Sequence, residues 1–297
     1  MTARIIDGKL IASNIRQAVK DEVNQLKKMG QIPGLAVILV GENPASQVYV
    51  KMKGRACDEA GIHSITDNLP VEISEKDLLE KVDYYNRNQK YHGLLVQLPL
   101  PHHIEEQKII ESVAPEKDVD CFHPYNVGRL MIGQPVFEPA TPAGIVELMR
   151  QAKIDPAGKH VVILGRSNIV GKPVSMMLVQ KQSGANAIIT IVHTGSDNIK
   201  DYTLKADILI AAMGKPEIVT GDMVKEGVVV IDVGVNRIPA DNEKGYRLVG
   251  DVAFEEVLPK ASAITPVPGG VGPMTIAMLL KNTIKAHQLQ QKEHIRV

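Results

Sequence analysis

The sequence has no tryptophan, and only 3% of its 297 residues are aromatic. Its core has to be built from Val, Ile, Leu, Met and Ala, and the apolar fraction of 44% is ordinary for a globular chain. Two cysteines, Cys57 and Cys121, are too few and too far apart for a zinc or iron–sulfur pattern, and no disulfide scaffold is expected. Charge of one sign is also missing: Lys plus Arg and Asp plus Glu both number 34. Without a basic excess the chain is not expected to be a general nucleic-acid binder, although local basic pockets for a phosphate remain open. No stretch reaches the roughly 18 consecutive apolar residues of a membrane span. The opening MTARIIDGKLIA has neither the apolar run nor the small-residue cleavage site of an export signal. The expected setting is a reducing cytoplasm, with no membrane and no metal.

What is present is alternation. Residues 35–40 (LAVILV) and 93–98 (GLLVQL) read as buried strands, the second stopped by Pro99 and Pro101. Ile11, Ile15, Val19, Val23 and Leu26 place a helix over 11–29, and residues 74–86 read as another, with Ser74 as cap and Asp77 at the capping-box position. Asn43 and Pro44 open a helix that Gly61 ends, with Val48, Met52, Ala56 and Ala60 on one face. Residues 120–145 carry Pro124, Gly128, Gly133, Pro135, Pro139 and Pro142 with little periodicity, and read as a linker or cleft-lining segment between domains. The pattern then restarts, with strands at 160–165, 187–193, 206–212 and 227–234 and a helix over 170–181. A last helix, 274–290, is expected to pack back on the first half. Such alternation predicts an α/β fold with a mostly parallel sheet, and the length fits one large or two medium domains.

Gly165-Arg166-Ser167-Asn168-Ile169-Val170-Gly171-Lys172-Pro173 follows a buried strand and opens a helix, which is where a parallel sheet presents backbone N–H groups and a helix dipole to a phosphate. The G-x-G-x-x-G fingerprint is absent, so a plain strand–turn–helix connection that needs glycines competes with cofactor binding. The next strand ends in His193-Thr194-Gly195-Ser196, where an NAD site tends to place a carboxylate for the ribose. With Arg166 available for a 2′-phosphate, the pattern favours NADP over NAD, and Asp197 weighs the other way.

In the first half, Tyr49 and Lys53 stand one helical turn apart. From spacing alone the plainer reading is a solvated lysine beside a half-buried tyrosine. Gln97 ends a buried strand and needs hydrogen-bond partners, from backbone, Lys53 or a ligand. Asp118 and Asp120 fall on one side if their segment is extended. Other readings are an ordinary dehydrogenase with His123 or His193 as base, a metal site at His102 and His103, and a non-catalytic dinucleotide sensor. No Cys or carboxylate lies at ligand spacing from these histidines.

Taken in order, ASQVYVKMK (45–53), VQLPLP (96–101), KDVDCFHPYNVGRL (117–130), GRSNIVGKP (165–173), IDVGVNR (231–237) and TPVPGGVGPMT (265–275) resemble the bifunctional methylenetetrahydrofolate dehydrogenase/methenyltetrahydrofolate cyclohydrolase family over essentially the whole chain. The resemblance implies two α/β domains with a cleft between them. Residues 1–138, with 276–297 packing back, would be the folate-binding catalytic domain, and 139–275 a Rossmann-like NADP-binding domain. It implies NADP-linked oxidation of 5,10-methylenetetrahydrofolate and hydrolysis of the product to 10-formyltetrahydrofolate, in one-carbon metabolism that feeds purine biosynthesis, by a cytoplasmic homodimer joined through the cofactor domain. By the same resemblance Lys53 is the catalytic lysine, Gln97 its partner, Tyr49 the residue that packs on substrate and Asp120 the carboxylate that holds the pterin. Val96, Leu98, Pro268, Gly269, Gly270 and Gly272 join them on the substrate side. Gly165, Arg166, Ser167, Thr194 and Val235 match cofactor contacts. Three positions depart: Cys121 where Gly is usual, Ala253 where Asp is frequent, and Thr194 at a position that varies.

Overall fold

A computed structural model of the protein describes residues 3–242 and 245–294. In chain order its first elements are β1 (Arg4–Ile5), α1 (Gly8–Lys28), β2 (Gly34–Val40), α2 (Pro44–Ala60), β3 (His63–Leu69), α3 (Glu75–Arg87), β4 (Gly93–Val96), α4 (Glu106–Ser112), α5 (Pro124–Met131) and α6 (Ala140–Gln151). There follow β5 (His160–Leu164), α7 (Gly171–Val179), β6 (Ile188–Val192), α8 (Lys200–Thr203), β7 (Ile208–Ala211), β8 (Val229–Asp232), β9 (Asn236–Pro239), β10 (Tyr246–Val249), α9 (Phe254–Val257), β11 (Ala263–Ile264) and α10 (Val271–His294). Two compact units result: residues 13–140 with those from 276 onward, and residues up to 12 with 141–275.

The first unit is built on a parallel three-stranded sheet in the order β3-β2-β4. Every residue of β2 is buried, as a central strand of a sheet covered on both faces requires, which is why GLAVILV shows no alternation. Ala36, Ile38 and Val40 pack with Leu78, Val82 and Tyr85 of α3 and Ile109 of α4. Leu78, Val82 and Ile109 leave water completely, a gain of about 1.5–3 kcal/mol each. The helix caps follow the sequence. Asn43 accepts the N–H groups of Ala45 and Ser46, and Ser74 Oγ accepts that of Asp77. Asp77 answers through its side chain, accepting the Ser74 hydroxyl. From residue 276 on, α10 returns to this unit: Asn282 Nδ2 donates to Val119 O and Glu138 O, and Gln290 Nε2 to His92 O.

The second unit carries a six-stranded parallel sheet in the order β1-β11-β8-β7-β5-β6. The chain runs from β5 to β6 on one side and then returns to place β7 on the other side of β5. The strand order therefore reverses at β5, where sheets of this kind bind their ligands, beyond the strands' carboxyl ends. Val162, Leu164, Leu209, Ala211, Val230 and Ile264 fill its core.

Several expectations need correction. Residues 120–145 are no bare linker: they hold α5, which His123 caps by accepting the Tyr125 N–H, and the start of α6. Proline sits at the first turn of α5, where its missing N–H costs nothing, so a residue read as a breaker begins a helix. Residues 3–12 group with the second unit rather than the first, because β1 adds to that unit's sheet by pairing with β11. Strand β4 ends two residues earlier than its apolar run suggests, and α10 extends beyond the expected helix at both ends. Among the described residues no helix is long and apolar enough to cross a membrane.

Candidate active site

In the first unit α2 buries Ser46, Val50, Lys53, Ala56, Cys57 and Ala60. Val48 and Met52, expected on the inner face, are instead exposed beside Tyr49, which is 38% exposed. Of the four residues read onto one face, Val48 and Met52 are exposed while Ala56 and Ala60 are buried, and the lysine read as solvated lies on the inner side, only 7% exposed. Lys53 Nζ donates to Gln97 Oε1 at 3.0 Å. Gln97 is held in turn: its Nε2 donates to Leu98 O at 2.8 Å and its backbone N–H to Ile38 O, which extends the β2–β4 ladder past the end of the strand. With Nε2 committed to Leu98, Oε1 is the atom left to face the amine.

Burial pushes the Lys53 amine below its usual range, opposed by the charge of Asp120 and, more weakly, by Cys57. Asp120, half-buried, is pushed up by desolvation, with Lys53 pulling it down and Asp118 raising it further. Each group is thus biased toward its neutral form by burial and toward its charged form by the other. Asp118 is no partner in chemistry. Its oxygens accept the N–H groups of Phe122 and His123 and the side-chain amide of Asn126, which makes it the buried anchor of the turn into α5. The segment is not extended there: Val119 and Asp120 form a turn that the Cys121 N–H closes on Asp118 O, and Cys121 adopts a φ of 60°. That left-handed position, where the resemblance expected glycine, explains the departure's cost, and Cys121 Sγ meets Phe137 O at 3.3 Å. Val96 and Leu98 flank Gln97. The Val96 side chain is in the core, so its backbone is what it offers a ligand, whereas Leu98 is half-buried.

In the second unit, β5 runs into Gly165 at the point where the strand order reverses. Gly165 has φ 114°, and a Cβ there would stand 2.2 Å from Ala212 O. A Cβ on Gly171 would stand 2.1 Å from Gly165 O. These contacts leave a cradle with room for backbone only. Ser167 Oγ accepts the N–H groups of Val170 and Gly171 at the start of α7, and Arg166 is exposed beside it. Thr194 is exposed in the turn after β6, which His193 closes by accepting the Gly195 N–H, so that His193 serves as a turn residue. Val235 is exposed in the segment between β8 and β9. The residues present fit a dinucleotide: a glycine cradle at a helix start, hydroxyls and a guanidinium around it, and an apolar residue on a neighbouring strand end. Pro268, Gly269, Gly270 and Gly272 lie in and just after the connection from β11 to α10, with Gly269 and Gly270 packed against Gly8 and Lys9 at the start of α1. His103 meets Ile73 O, and among the described residues no group of three or more His, Cys, Asp or Glu is placed to hold a metal ion.

Sequence reasoning missed two carboxylates of the second unit, Asp232 and Asp251, both almost fully buried. Asp232 stands within the motif IDVGVNR without having been given a role, and each carboxylate has a nearby glycine, Gly234 and Gly250, which admits close backbone approach. Burial, with a contribution from Asp251, raises the Asp232 carboxyl to about 7. A cavity of about 370 Å³ in this unit is lined by Asp232, Glu217, Arg247 and Phe254 but by none of the five candidate cofactor residues.

Models of the tetrahydrofolate dehydrogenase/cyclohydrolase family match both parts of the chain: the catalytic domain over residues 6–120 and the NAD(P)-binding domain over 139–291. The chain belongs to this family. It is 57% identical to the bifunctional protein FolD of Moorella thermoacetica over 286 residues, covering 96% of this chain and 99% of that one. Among solved structures it is similar to the bifunctional methylenetetrahydrofolate dehydrogenase/cyclohydrolase of Campylobacter jejuni, at 47% identity and a TM-score of 0.92, with 97% of this chain and 99% of the other covered. The Trypanosoma brucei enzyme, solved with NADP and an inhibitor, is 38% identical with a TM-score of 0.93, covering 98% and 99%. Family membership thus meets a chain in which Lys53 is bonded to Gln97 and interacts electrostatically with Asp120 in a single unit.

Proposed function

We propose that this protein is a bifunctional enzyme of tetrahydrofolate one-carbon metabolism: it oxidises 5,10-methylenetetrahydrofolate to 5,10-methenyltetrahydrofolate with NADP and hydrolyses that cation to 10-formyltetrahydrofolate. The observation that carries the reading is the buried Lys53 amine fixed on Gln97, in a chain that belongs to the family over nearly its full length. When bound, NADP supplies the acceptor for a hydride from the methylene carbon, a step that needs no acid or base from the protein. Gly165, Gly171 and Ser167 form the phosphate cradle, with Arg166 and Thr194 toward the 2′-phosphate and Val235 against the cofactor.

Hydrolysis is where the lysine acts. Water adds to the methenyl carbon, the bond from that carbon to N5 breaks, and one proton is released to solvent. Neutral Lys53 takes the proton from the attacking water or from the tetrahedral intermediate. Burial shifts the Lys53 amine toward its neutral form, and a cationic folate beside it would push the same way. Gln97 orients the amine, and Tyr49, on its exposed apolar stripe with Val48 and Met52, packs on the folate. Asp120 accepts hydrogen bonds from the pterin amino and ring N–H groups and fixes its orientation. The backbone around Val96 and Leu98 completes the substrate side within the first unit, and the family resemblance proposes the loop at 268–272 as a further substrate contact. We further infer a homodimer of the cytoplasm whose product serves purine biosynthesis.

The test is an absorbance assay of methylenetetrahydrofolate with NADP and with NAD, following reduced cofactor and the methenyl intermediate together. Reduction of NADP with transient methenyl absorbance is expected. Oxidation with NAD alone and a methenyl product that persists at its uncatalysed rate would instead indicate a monofunctional dehydrogenase.

A further inference from the structure

The segment after β7, Ala212 to Lys215, forms one wall of the nucleotide cradle, since Ala212 O occupies the space a side chain at Gly165 would need. Three consecutive N–H groups of this segment converge on one carboxylate. Met213 N and Gly214 N donate to Asp251 Oδ2 at 2.6 and 2.9 Å, and Lys215 N donates to Oδ1 at 3.0 Å. Successive N–H groups arranged in this way make an anion site, and here the protein's own carboxylate fills it. A fourth donor, Asn236 Nδ2, reaches Oδ1 at 2.9 Å and Gly250 O at 3.2 Å. Asn236 directly follows Val235, the apolar residue on the other candidate wall. Asp251 is wholly buried, and its own N–H is held by Asp232 Oδ1 at 2.9 Å. Asp232 also accepts the N–H groups of Gly234 and Val252, so it anchors the segment on either side of the carboxylate.

We infer that Asp251 is a positioning residue for the cofactor half of the reaction, tying the segment after β7 and the Val235 strand end to one buried carboxylate so that the crevice beside Gly165 is formed before NADP arrives. The inference rests on the reading of the Gly165 loop as the NADP cradle. Charge-assisted bonds to backbone N–H groups are strong and directional, and four on one carboxylate leave the two walls little freedom. Without the carboxylate the donors lose their common acceptor, and cofactor binding itself has to order both walls. Apparent affinity then falls by the fraction of molecules already ordered. Folate handling in the other unit is untouched.

The test compares Asp251→Asn and the milder Asn236→Ala with Asp207→Asn. Asp207 accepts the His160 N–H and the Lys225 ammonium near the amino ends of β5 and β7, and serves as a purely structural control. Expected for Asp251→Asn is a rise of about tenfold or more in KM for NADP, with kcat at saturating NADP within about threefold and hydrolysis of methenyltetrahydrofolate within about twofold. Asn236→Ala raises the same KM by about threefold. Asp207→Asn lowers the melting temperature and leaves KM for NADP alone. Asp251→Asn and Asn236→Ala variants that melt early yet keep the wild-type KM would overturn the inference, as would hydrolysis falling in step with dehydrogenation. If Asp251→Asn does not fold, Asn236→Ala decides by the same KM. A wild-type enzyme without NADP-linked oxidation would sink the proposed function and is read separately.

Discussion

The two units hold their proposed sites by different means. In the first, the proposed function depends on a side chain whose charge is adjusted: Lys53 sits in the inner face of α2 and burial lowers its pKa, while Gln97, itself tied to Leu98, accepts its hydrogen bond. In the second, the site is made of backbone. Gly165 and Gly171 leave room where any side chain would collide, and Ser167 and Asp251 hold N–H groups in place. A titratable site tolerates small shifts in shape but fails when one atom is exchanged. A backbone site has no single reactive atom but fails when one methyl group is added.

The contrast breaks most visibly at the amine. Lys53→Met should lower methenyltetrahydrofolate hydrolysis by about 10³-fold, the scale of a lost acid–base group, while hydride transfer to NADP stays measurable. The decay of methenyl absorbance reads the first and NADPH formation the second. Parallel loss of both, with loss of NADP binding, would remove the amine from its proposed role. Next in size is Gly165→Ala, which forces a Cβ to 2.2 Å from Ala212 O at a φ of 114°. It should cost about 2–4 kcal/mol of stability and weaken NADP binding at least about tenfold, with hydrolysis retained in whatever fraction folds. Thermal melts and a fluorescence titration with NADPH report these, and full NADP affinity in the variant would refute the cradle.

Asp120→Ala removes the proposed pterin anchor and should weaken folate binding about tenfold to thirtyfold, the worth of charged hydrogen bonds, with NADP affinity unchanged. Equal folate affinity in variant and wild type would disprove the anchoring role. Gln97→Glu sharpens the electrostatic side of the comparison. A carboxylate in hydrogen-bond reach of the amine favours its charged form and raises the Lys53 pKa. Since the proposed hydrolysis uses the neutral amine, populated above that pKa, the rising limb of the pH–rate profile should move to higher pH. At a fixed pH on that limb, activity falls about tenfold when the limb moves up by about one pH unit. A limb that stays in place means another group titrates. The smallest effect is expected at Cys121. Cys121→Gly relieves a left-handed φ but gives up the Sγ contact with Phe137 O and adds freedom to the unfolded chain, so stability should change by no more than about 1 kcal/mol. A much larger loss in a thermal melt would show that packing of the thiol, not backbone strain, governs the turn beside Asp120.

Much of this architecture was legible along the chain. The continuous apolar run of β2, the caps at Asn43 and Ser74, and the strand–glycine–helix sequence around Gly165 each depend on residues a few positions apart, and local chemistry decides them. The reading failed where residues distant in sequence compete. Val48 and Met52 carry the better apolar spacing, yet Val50, Lys53 and Cys57 face inward, because packing against the β-sheet, not periodicity, selects which stripe of a short helix is covered. Residues 120–145 looked structureless because proline and glycine hide a helix whose start is set by His123 and by the buried Asp118. Asp251 was invisible because its donors come from residues 213–215 and 236, joined to it only when β7, β8 and β9 are in place.

By itself the sequence determined the alternation of strands and helices, the parallel character of the two larger sheets and the family, since these are written in hydrophobic period, caps and contiguous motifs. Only the tertiary structure decided that Lys53 is buried, with its amine 3.0 Å from Gln97 Oε1, and that the β1 strand joins the second unit's sheet. Those facts turn on desolvation and on hydrogen bonds between residues tens to hundreds of positions apart, and a pattern read along the chain does not contain either.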